Sequence, residues 1–135
     1  MLAASVLGTV TSEPSIGNPP RVVVIDDHAP FRQAARMLLA ARGYDVVAEA
    51  SSAATALDAV ERHAPHGVLL DVQLGDDDGF AVCGVLTRLR PELAVLMASA
   101  DEPKDPERVT RCGARGFVRK AHLPRIDFGR FWPRG

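Results

Sequence analysis

The chain has 135 residues, 47% of them hydrophobic, which is about the size of one ordinary domain with a single core. Sixteen basic and seventeen acidic residues leave a formal net charge of −1, so no overall field favours nucleic acid or an anionic membrane surface. The two cysteines, Cys83 and Cys112, form no CxxC or Cys/His pattern, which argues against a zinc site or a disulfide framework. We expect both to be reduced thiols in the core.

We do not expect the N-terminal segment to be a secretion signal. Residues 1–10 are mildly apolar, but they lack a basic n-region and a long apolar stretch. Residues 11–20 mix Pro, Gly, Ser and Asn without periodicity, which predicts a flexible leader over residues 1–20 and one folded domain over residues 21–135. Since no apolar run approaches the roughly 20 residues that span a bilayer, we expect a cytoplasmic protein without membrane contact.

Short apolar runs alternate with segments of helical period from Arg21 onward. The runs lie at residues 22–25, 46–49, 68–70, 93–97 and 116–118. They are mostly aliphatic and largely continuous, which is typical of strands covered on both faces. Helices are predicted between them, with a short fourth helix between Pro106 and Cys112 and a fifth from about Leu123 to Trp132. This alternation predicts a doubly wound α/β domain with a five-stranded parallel sheet and helices on both faces.

Polar side chains follow four of the five predicted strands. Asp26 and Asp27 come after the first strand, Asp71 ends the third, Ser99 follows the fourth and Lys120 follows the fifth. In open parallel sheets, ligands bind beyond the carboxyl ends of the strands, near the point where the strand order reverses. We therefore expect these five side chains to converge on one edge of the sheet.

Three carboxylates in one place call for a cation, because each would otherwise raise the pKa of the others. Mg²⁺ fits best, since it favours oxygen ligands and often binds a few carboxylates together with a phosphate. An Asp carboxylate can also accept a phosphoryl group when nearby cations and donors offset the charge. Taken singly, each residue has a plainer explanation: an Asp after a strand commonly caps a helix, and the acidic run Asp76–Asp78 reads as an exposed loop. Five suitable residues after four strands favour a site.

Four segments in order resemble response-regulator receiver domains: VVVIDDHAPFRQAARMLL, GVLLDVQLGDDDGF, VLMASA and GARGFVRK. The resemblance runs from Arg21 to about Trp132. The DDH opening and the segment ARGYDVVAEASSAATAL are most similar to receivers that, in many relatives, precede a LuxR-type helix-turn-helix, and no such domain follows in this sequence. The resemblance implies a flavodoxin-like fold with the strand order 2-1-3-4-5.

The resemblance also assigns roles around the predicted metal. It implies that Asp71 is the phosphoacceptor and that Asp26 and Asp27 coordinate Mg²⁺ together with Asp71. Gln73 would add a metal ligand through its backbone carbonyl, a role that does not depend on its side chain.

Three further residues would transmit the signal. The resemblance makes Ser99 the switch hydroxyl, Lys120 the cation that binds the phosphoryl group, and Phe117 the switch aromatic. Phosphorylation would then bias a two-state equilibrium and reposition the surface around the fourth helix and fifth strand.

The sequence departs from the family pattern at three places. Gly75 stands where proline is usual, which predicts a looser loop after Asp71. Ala121 follows Lys120 where many relatives have proline, so no cis peptide is expected there. The last predicted helix is rich in aromatic residues, and core packing is favoured over a partner interface for them.

By resemblance, the chain is a stand-alone receiver, a switch in a two-component phosphorelay. Its partners would be a histidine kinase or phosphotransfer protein and a downstream effector protein, with no direct contact to nucleic acid. A homodimer could form through the face made by the fourth helix, fifth strand and fifth helix. Its only chemistry would be Mg²⁺-dependent self-phosphorylation and autodephosphorylation, since an aspartate-dependent phosphatase needs an Asp where Gln73 stands. The alternative is a receiver-like interaction module that works without phosphorylation.

Overall fold

Strands and helices alternate along residues 18–134, the part of the chain that the computed structural model describes. The main strands and the helices are β1 Arg21–Ile25, α1 Ala29–Ala41, β2 Asp45–Ala50, α2 Ala53–His63, β3 Gly67–Asp71, α3 Gly79–Leu89, β6 Ala94–Ser99, α4 Pro106–Arg111 and β7 Gly116–Arg119. A small antiparallel hairpin, β4 Gln73–Leu74 and β5 Asp77–Asp78, lies between β3 and α3. Two 3₁₀ segments, Lys120–Arg125 and Phe128–Arg130, follow β7.

Pro20 is the first buried residue among residues 18–134. The predicted leader falls outside the described residues as far as residue 17. Pro20 itself is buried, and its carbonyl accepts a hydrogen bond from the Asp45 backbone N–H at 2.9 Å. Pro20 therefore joins the fold directly before β1.

The five main strands form one parallel sheet in the order β2-β1-β3-β6-β7, which confirms the predicted fold class. From β1 the chain passes to β2 on one side and later to β3 on the other, so the strand order reverses beside β1. Ile25 is paired with Leu70, so the residues that follow them, Asp26 and Asp71, lie level at the carboxyl edge of the sheet. The fold thus places these two carboxylates at the switch point where such sheets bind ligands.

Two apolar clusters cover the two faces of the sheet. On one face, Val22 and Val24 of β1 pack with Leu39 of α1 and with residues of the C-terminal 3₁₀ segments. On the other, Val23 and Ile25 pack with residues of α2 and α3. Alternate residues of one strand serve opposite faces, which is why these strands read as continuous apolar runs. The predicted core thiols are confirmed, since Cys83 and Cys112 are free and buried.

The helix ends are fixed by residues suited to them. Ser52 and Thr55 form a capping box at the start of α2, and Asp78 and Asp105 cap α3 and α4. Gly43, with φ of 91°, terminates α1 in the left-handed region that glycine adopts without strain. None of the helices among residues 18–134 is of the length and apolar character that crossing a membrane requires.

The predicted fifth helix, from Leu123 to Trp132, is wrong. The chain forms two short 3₁₀ segments there, separated by extended backbone at Ile126. Pro124 supplies no backbone N–H, and the Asp127 carboxylate captures the Gly129 N–H at 2.9 Å, which starts a new segment. The dimer face proposed for this region therefore lacks its fifth α-helix.

The aromatic residues in this region are nevertheless largely core residues, as predicted. Phe128 and Trp132 are 2% and 3% exposed, and their rings stack with centroids 5.3 Å apart. Both rings also make edge contacts with Tyr44. The Trp132 indole donates a hydrogen bond to the Ala94 carbonyl at 3.1 Å, so its polar atom is satisfied inside the core. These three rings form what we call the aromatic cluster.

Candidate functional site

Three carboxylates meet at the carboxyl edge of the sheet. One carboxylate oxygen from each of Asp26, Asp27 and Asp71 lies within 4.8 Å of the others. Asp26 is 1% exposed, Asp71 is half-buried and Asp27 is exposed, so the group runs from the interior to the surface. Three of the five side chains predicted to converge at the strand ends are therefore together in the structure.

Asp26 is the buried member of this group, and the protein satisfies both of its carboxylate oxygens. Oδ2 pairs with Lys120 Nζ at 2.6 Å, and Oδ1 accepts the His28 backbone N–H at 2.8 Å. The Asp26 carbonyl accepts from the Arg32 guanidinium at 2.6 Å. A buried carboxylate is tolerated only when it is paired and hydrogen-bonded in this way.

Lys120 enters the site from the start of the first 3₁₀ segment, directly after β7. Its ammonium lies 2.6 Å from Asp26 and 3.6 Å from Asp71. This one ammonium offsets only part of the charge of Asp26, Asp27 and Asp71 when all three carboxylates are ionised. Such a cluster attracts a further cation.

Burial raises the pKa of Asp71 above its ordinary value, and the negative charge of Asp26 raises it further. The Lys120 ammonium and a hydrogen bond from the Gln73 backbone N–H act in the opposite direction, but they do not cancel the effect of burial. The surroundings of Asp71 therefore disfavour its ionised form, and further positive charge beside it would favour that form.

The residues present fit a hard divalent cation. The cluster offers carboxylate oxygens alone among the described residues, which is the donor set that Mg²⁺ prefers over softer metals. Asp26, Asp27 and Asp71 could therefore hold a metal ion. The Gln73 side-chain amide donates to the Gly75 carbonyl at 2.6 Å, and the role of the Gln73 backbone carbonyl as a metal ligand stays a prediction.

A cleft of about 790 Å³ opens beside Asp71. Asp71, Ser99 and Lys120 all line it. Ser99 ends β6 and is half-buried, and its hydroxyl oxygen accepts the Asp101 backbone N–H at 3.2 Å. Phe117 is not among the lining residues; it packs against the apolar cluster on the α2 and α3 face.

The acidic run Asp76–Asp78 does more than form the exposed loop that the sequence suggested. Asp77 accepts the Ala53 backbone N–H at 2.9 Å and so ties the loop to α2. Asp78 caps α3 and pairs with Arg108 of α4 across the mouth of the cleft. The capping role could be anticipated from an Asp before a helical stripe, whereas the Arg108 pair depends on tertiary packing.

Comparison with known proteins identifies the family. The response regulator receiver domain family matches residues 22–126. The chain belongs to this family. Receiver domains are signalling switches and not conventional enzymes, and the acidic cluster of this receiver coincides with the residues expected from the family resemblance.

The receiver resembles regulators of the NarL and LuxR type. It is 37% identical over 102 residues to the transcriptional regulatory protein NarL of Mycobacterium tuberculosis, covering 74% of this chain and 47% of NarL. The solved NarL receiver domain from the same species is 36% identical, with a TM-score of 0.68 over 76% of this chain and 84% of that one. A LuxR-family response regulator from Aurantimonas gives 27% identity and a TM-score of 0.74 over 79% of this chain and 78% of that one. This chain spans about half the length of the curated transcriptional regulators it matches.

Proposed function

We propose that this receiver is a phosphoryl-accepting switch of a two-component phosphorelay. Asp71 would take the phosphoryl group from a histidine kinase or phosphotransfer protein, and a downstream effector protein would read the result. The observation that carries the proposal is the placement of Asp71 in an open cleft, with two further carboxylates within 4.8 Å and the Lys120 ammonium at 3.6 Å.

The transfer exchanges one bond for another. An oxygen of the ionised Asp71 carboxylate attacks the phosphorus of a phosphohistidine; the new O–P bond forms as the P–N bond breaks, and its electron pair stays on the imidazole. Asp26, Asp27 and Asp71 would hold Mg²⁺, which supplies positive charge against the transferring oxygens. Lys120 contributes a second positive charge beside the acceptor. The cleft leaves Asp71 open to the donor.

The response would begin at Ser99. Its hydroxyl proton is available because the oxygen acts as the acceptor in the Asp101 contact. An aspartyl-phosphate beside it would offer new acceptor oxygens, and a rotation of Ser99 towards them would release Asp101 and draw in the β6–α4 loop. None of the six residues of α4 is buried, so this element has little packing to hold it in place. Phe117 would follow through the neighbouring strand β7.

The test is the intact mass of the protein after incubation with acetyl phosphate and Mg²⁺. We expect a gain of one phosphoryl group that is lost in Asp71→Asn and after addition of a chelator. Asp76→Asn is the matched control, because Asp76 is an exposed carboxylate lining the same cleft outside the three-carboxylate cluster, and this variant should keep the gain.

Two outcomes would contradict the proposal. Uptake that persists in Asp71→Asn would place the phosphoryl group on another residue. No uptake by a folded protein that binds Mg²⁺ would favour an interaction module that works without phosphorylation.

A further inference from the structure

The Phe31 ring lies beside the Lys120 ammonium. The distance from Nζ to the ring centroid is 4.2 Å, well inside the roughly 6 Å range of a cation–π contact. An ammonium has three N–H donors. The Lys120 ammonium lies near three groups: Asp26 at 2.6 Å, Asp71 at 3.6 Å and the Phe31 ring. The Lys120 side chain is only 22% exposed, which strengthens each of these interactions relative to those of a solvated lysine.

The position of Phe31 is fixed by the same part of the chain that places Asp26. Phe31 lies in the first turn of α1, directly after Pro30, and packs against the apolar cluster on the α1 face. The next residue, Arg32, donates to the Asp26 carbonyl at 2.6 Å and pairs with Glu49 at 2.9 Å. The start of α1 is thereby tied to the end of β1, and the ring is held at a set distance from the carboxylates.

The two charged contacts of Lys120 change during the proposed reaction, whereas the ring contact need not. The shortest contact of Lys120 is with Asp26, which is also a proposed metal ligand. A cation on Asp26 would weaken its hold on the ammonium, because the carboxylate charge would then be shared. The phenyl ring has no formal charge, so it attracts Lys120 without competing for the metal or repelling the phosphoryl group.

We propose that Phe31 is a positioning residue for Lys120: its ring keeps the ammonium beside Asp71 while Lys120 exchanges Asp26 for the oxygens of the incoming phosphoryl group. This inference rests on the proposed function and adds to it a residue of α1. The ring would act through Lys120 and would not touch the phosphoryl group itself.

The test replaces Phe31 by phenylalanines with one, two and three ring fluorines, which withdraw electrons from the ring with little change in its size. We expect the initial rate of phosphoryl uptake from acetyl phosphate to fall stepwise, by about 3- to 10-fold at the most fluorinated ring. Phe31→Leu should lower the rate by a similar factor, and Phe31→Trp should retain it. The matched control is Leu38→Ala. Leu38 lies two turns further along α1 and lines a surface groove together with Phe31 and Lys120, so this variant removes apolar bulk from that groove and should leave the rate unchanged.

A second measurement is made without any phosphoryl donor. The NMR order parameter of the Lys120 ε-methylene should drop in Phe31→Leu and be retained in Phe31→Trp. An unchanged order parameter in Phe31→Leu, or equal rate losses in Leu38→Ala and in the fluorinated series, would overturn the inference. If the wild-type protein takes up no phosphoryl group, the proposed function fails, and the order parameters alone decide whether Phe31 positions Lys120.

Discussion

The two ends of the main sheet differ in what they bring together: aromatic rings at the amino ends of the strands and carboxylates at the carboxyl ends. At the amino ends of the strands, Trp132 of the aromatic cluster lies against Gly67, the first residue of β3, and bonds to Ala94, the first residue of β6. A Cβ on Gly67 would lie 2.6 Å from the indole ring, so glycine is what permits this close approach. At the carboxyl ends, Asp26 and Asp71 place like charges side by side.

The aromatic end stabilises the fold, whereas the acidic end carries the proposed phosphoryl acceptor. The aromatic cluster buries large rings and leaves the indole N–H of Trp132 hydrogen-bonded. The acidic edge holds Asp71 in a position where burial and a neighbouring charge disfavour its ionised form. Sites that carry function commonly retain such unfavourable arrangements, and the rest of the fold supplies the stability that tolerates them.

The largest effect is expected at the aromatic end. Trp132→Ala removes a buried ring, its stacking on Phe128 and its bond to Ala94, and should lower the free energy of unfolding by about 3–5 kcal/mol. Urea denaturation followed by far-UV circular dichroism measures the loss. Trp132→Phe is the control: it keeps a stacked ring but loses the N–H donor, and should lose only about 1–2 kcal/mol. A Trp132→Ala variant as stable as the wild type would contradict the assignment of this end as the stabilising one.

At the acidic end, a substitution of Asp71 should raise the free energy of unfolding and not lower it. Since the pKa of Asp71 is raised in the folded protein, the folded state binds this proton more tightly than the unfolded state does. Protonated Asp71 contributes this stability in full below the ordinary Asp pKa of about 4, and the contribution is lost as the pH rises through the pKa of Asp71 in the folded protein. Asp71→Asn mimics the neutral form, and we expect it to raise the free energy of unfolding by about 1–2 kcal/mol at neutral pH without Mg²⁺.

Urea denaturation at two pH values and two Mg²⁺ concentrations tests this sign. The advantage of Asp71→Asn should shrink at about pH 3, where the wild-type carboxyl is protonated too. It should also shrink when Mg²⁺ is added, because a cation bound to the folded wild type stabilises it. An Asp71→Asn variant less stable than the wild type at neutral pH without Mg²⁺ would show that Asp71 is stabilised by its surroundings.

The acidic end could be predicted from the sequence more fully than the aromatic end, for a physical reason. The sheet and the meeting of Asp26, Asp27 and Asp71 could be predicted, because continuous apolar runs mark buried strands and the ends of parallel strands share one edge. The last segment could not be predicted correctly, since its apolar spacing is compatible with a helix, while Pro124 and the Asp127 turn break it locally. The contact of Phe31 with Lys120 joins residues far apart in sequence, and only the packing of α1 beside the 3₁₀ segment brings them together.

The smallest effect is expected at α4, which contacts the start of α3 through exposed side chains. Arg108 pairs with Asp78 and lies 4.5 Å from the Phe80 ring centroid, but both charged groups are more than two-fifths exposed, at 42% and 46%. Arg108→Gln should therefore lower the free energy of unfolding by less than about 1 kcal/mol. Amide hydrogen exchange over residues 106–111 should nevertheless increase, because α4 loses its ion pair to Asp78, the cap of α3.

Arg111→Gln is the matched control. Among the ion pairs of the described residues, Arg111 pairs only with Asp105 and Glu107 at the start of its own helix, so this variant should leave the Arg108–Asp78 pair intact. Equal exchange in the two variants would mean that α4 is held by its backbone and by the Cys83 and Thr87 contacts to the Cys112 carbonyl at its other end.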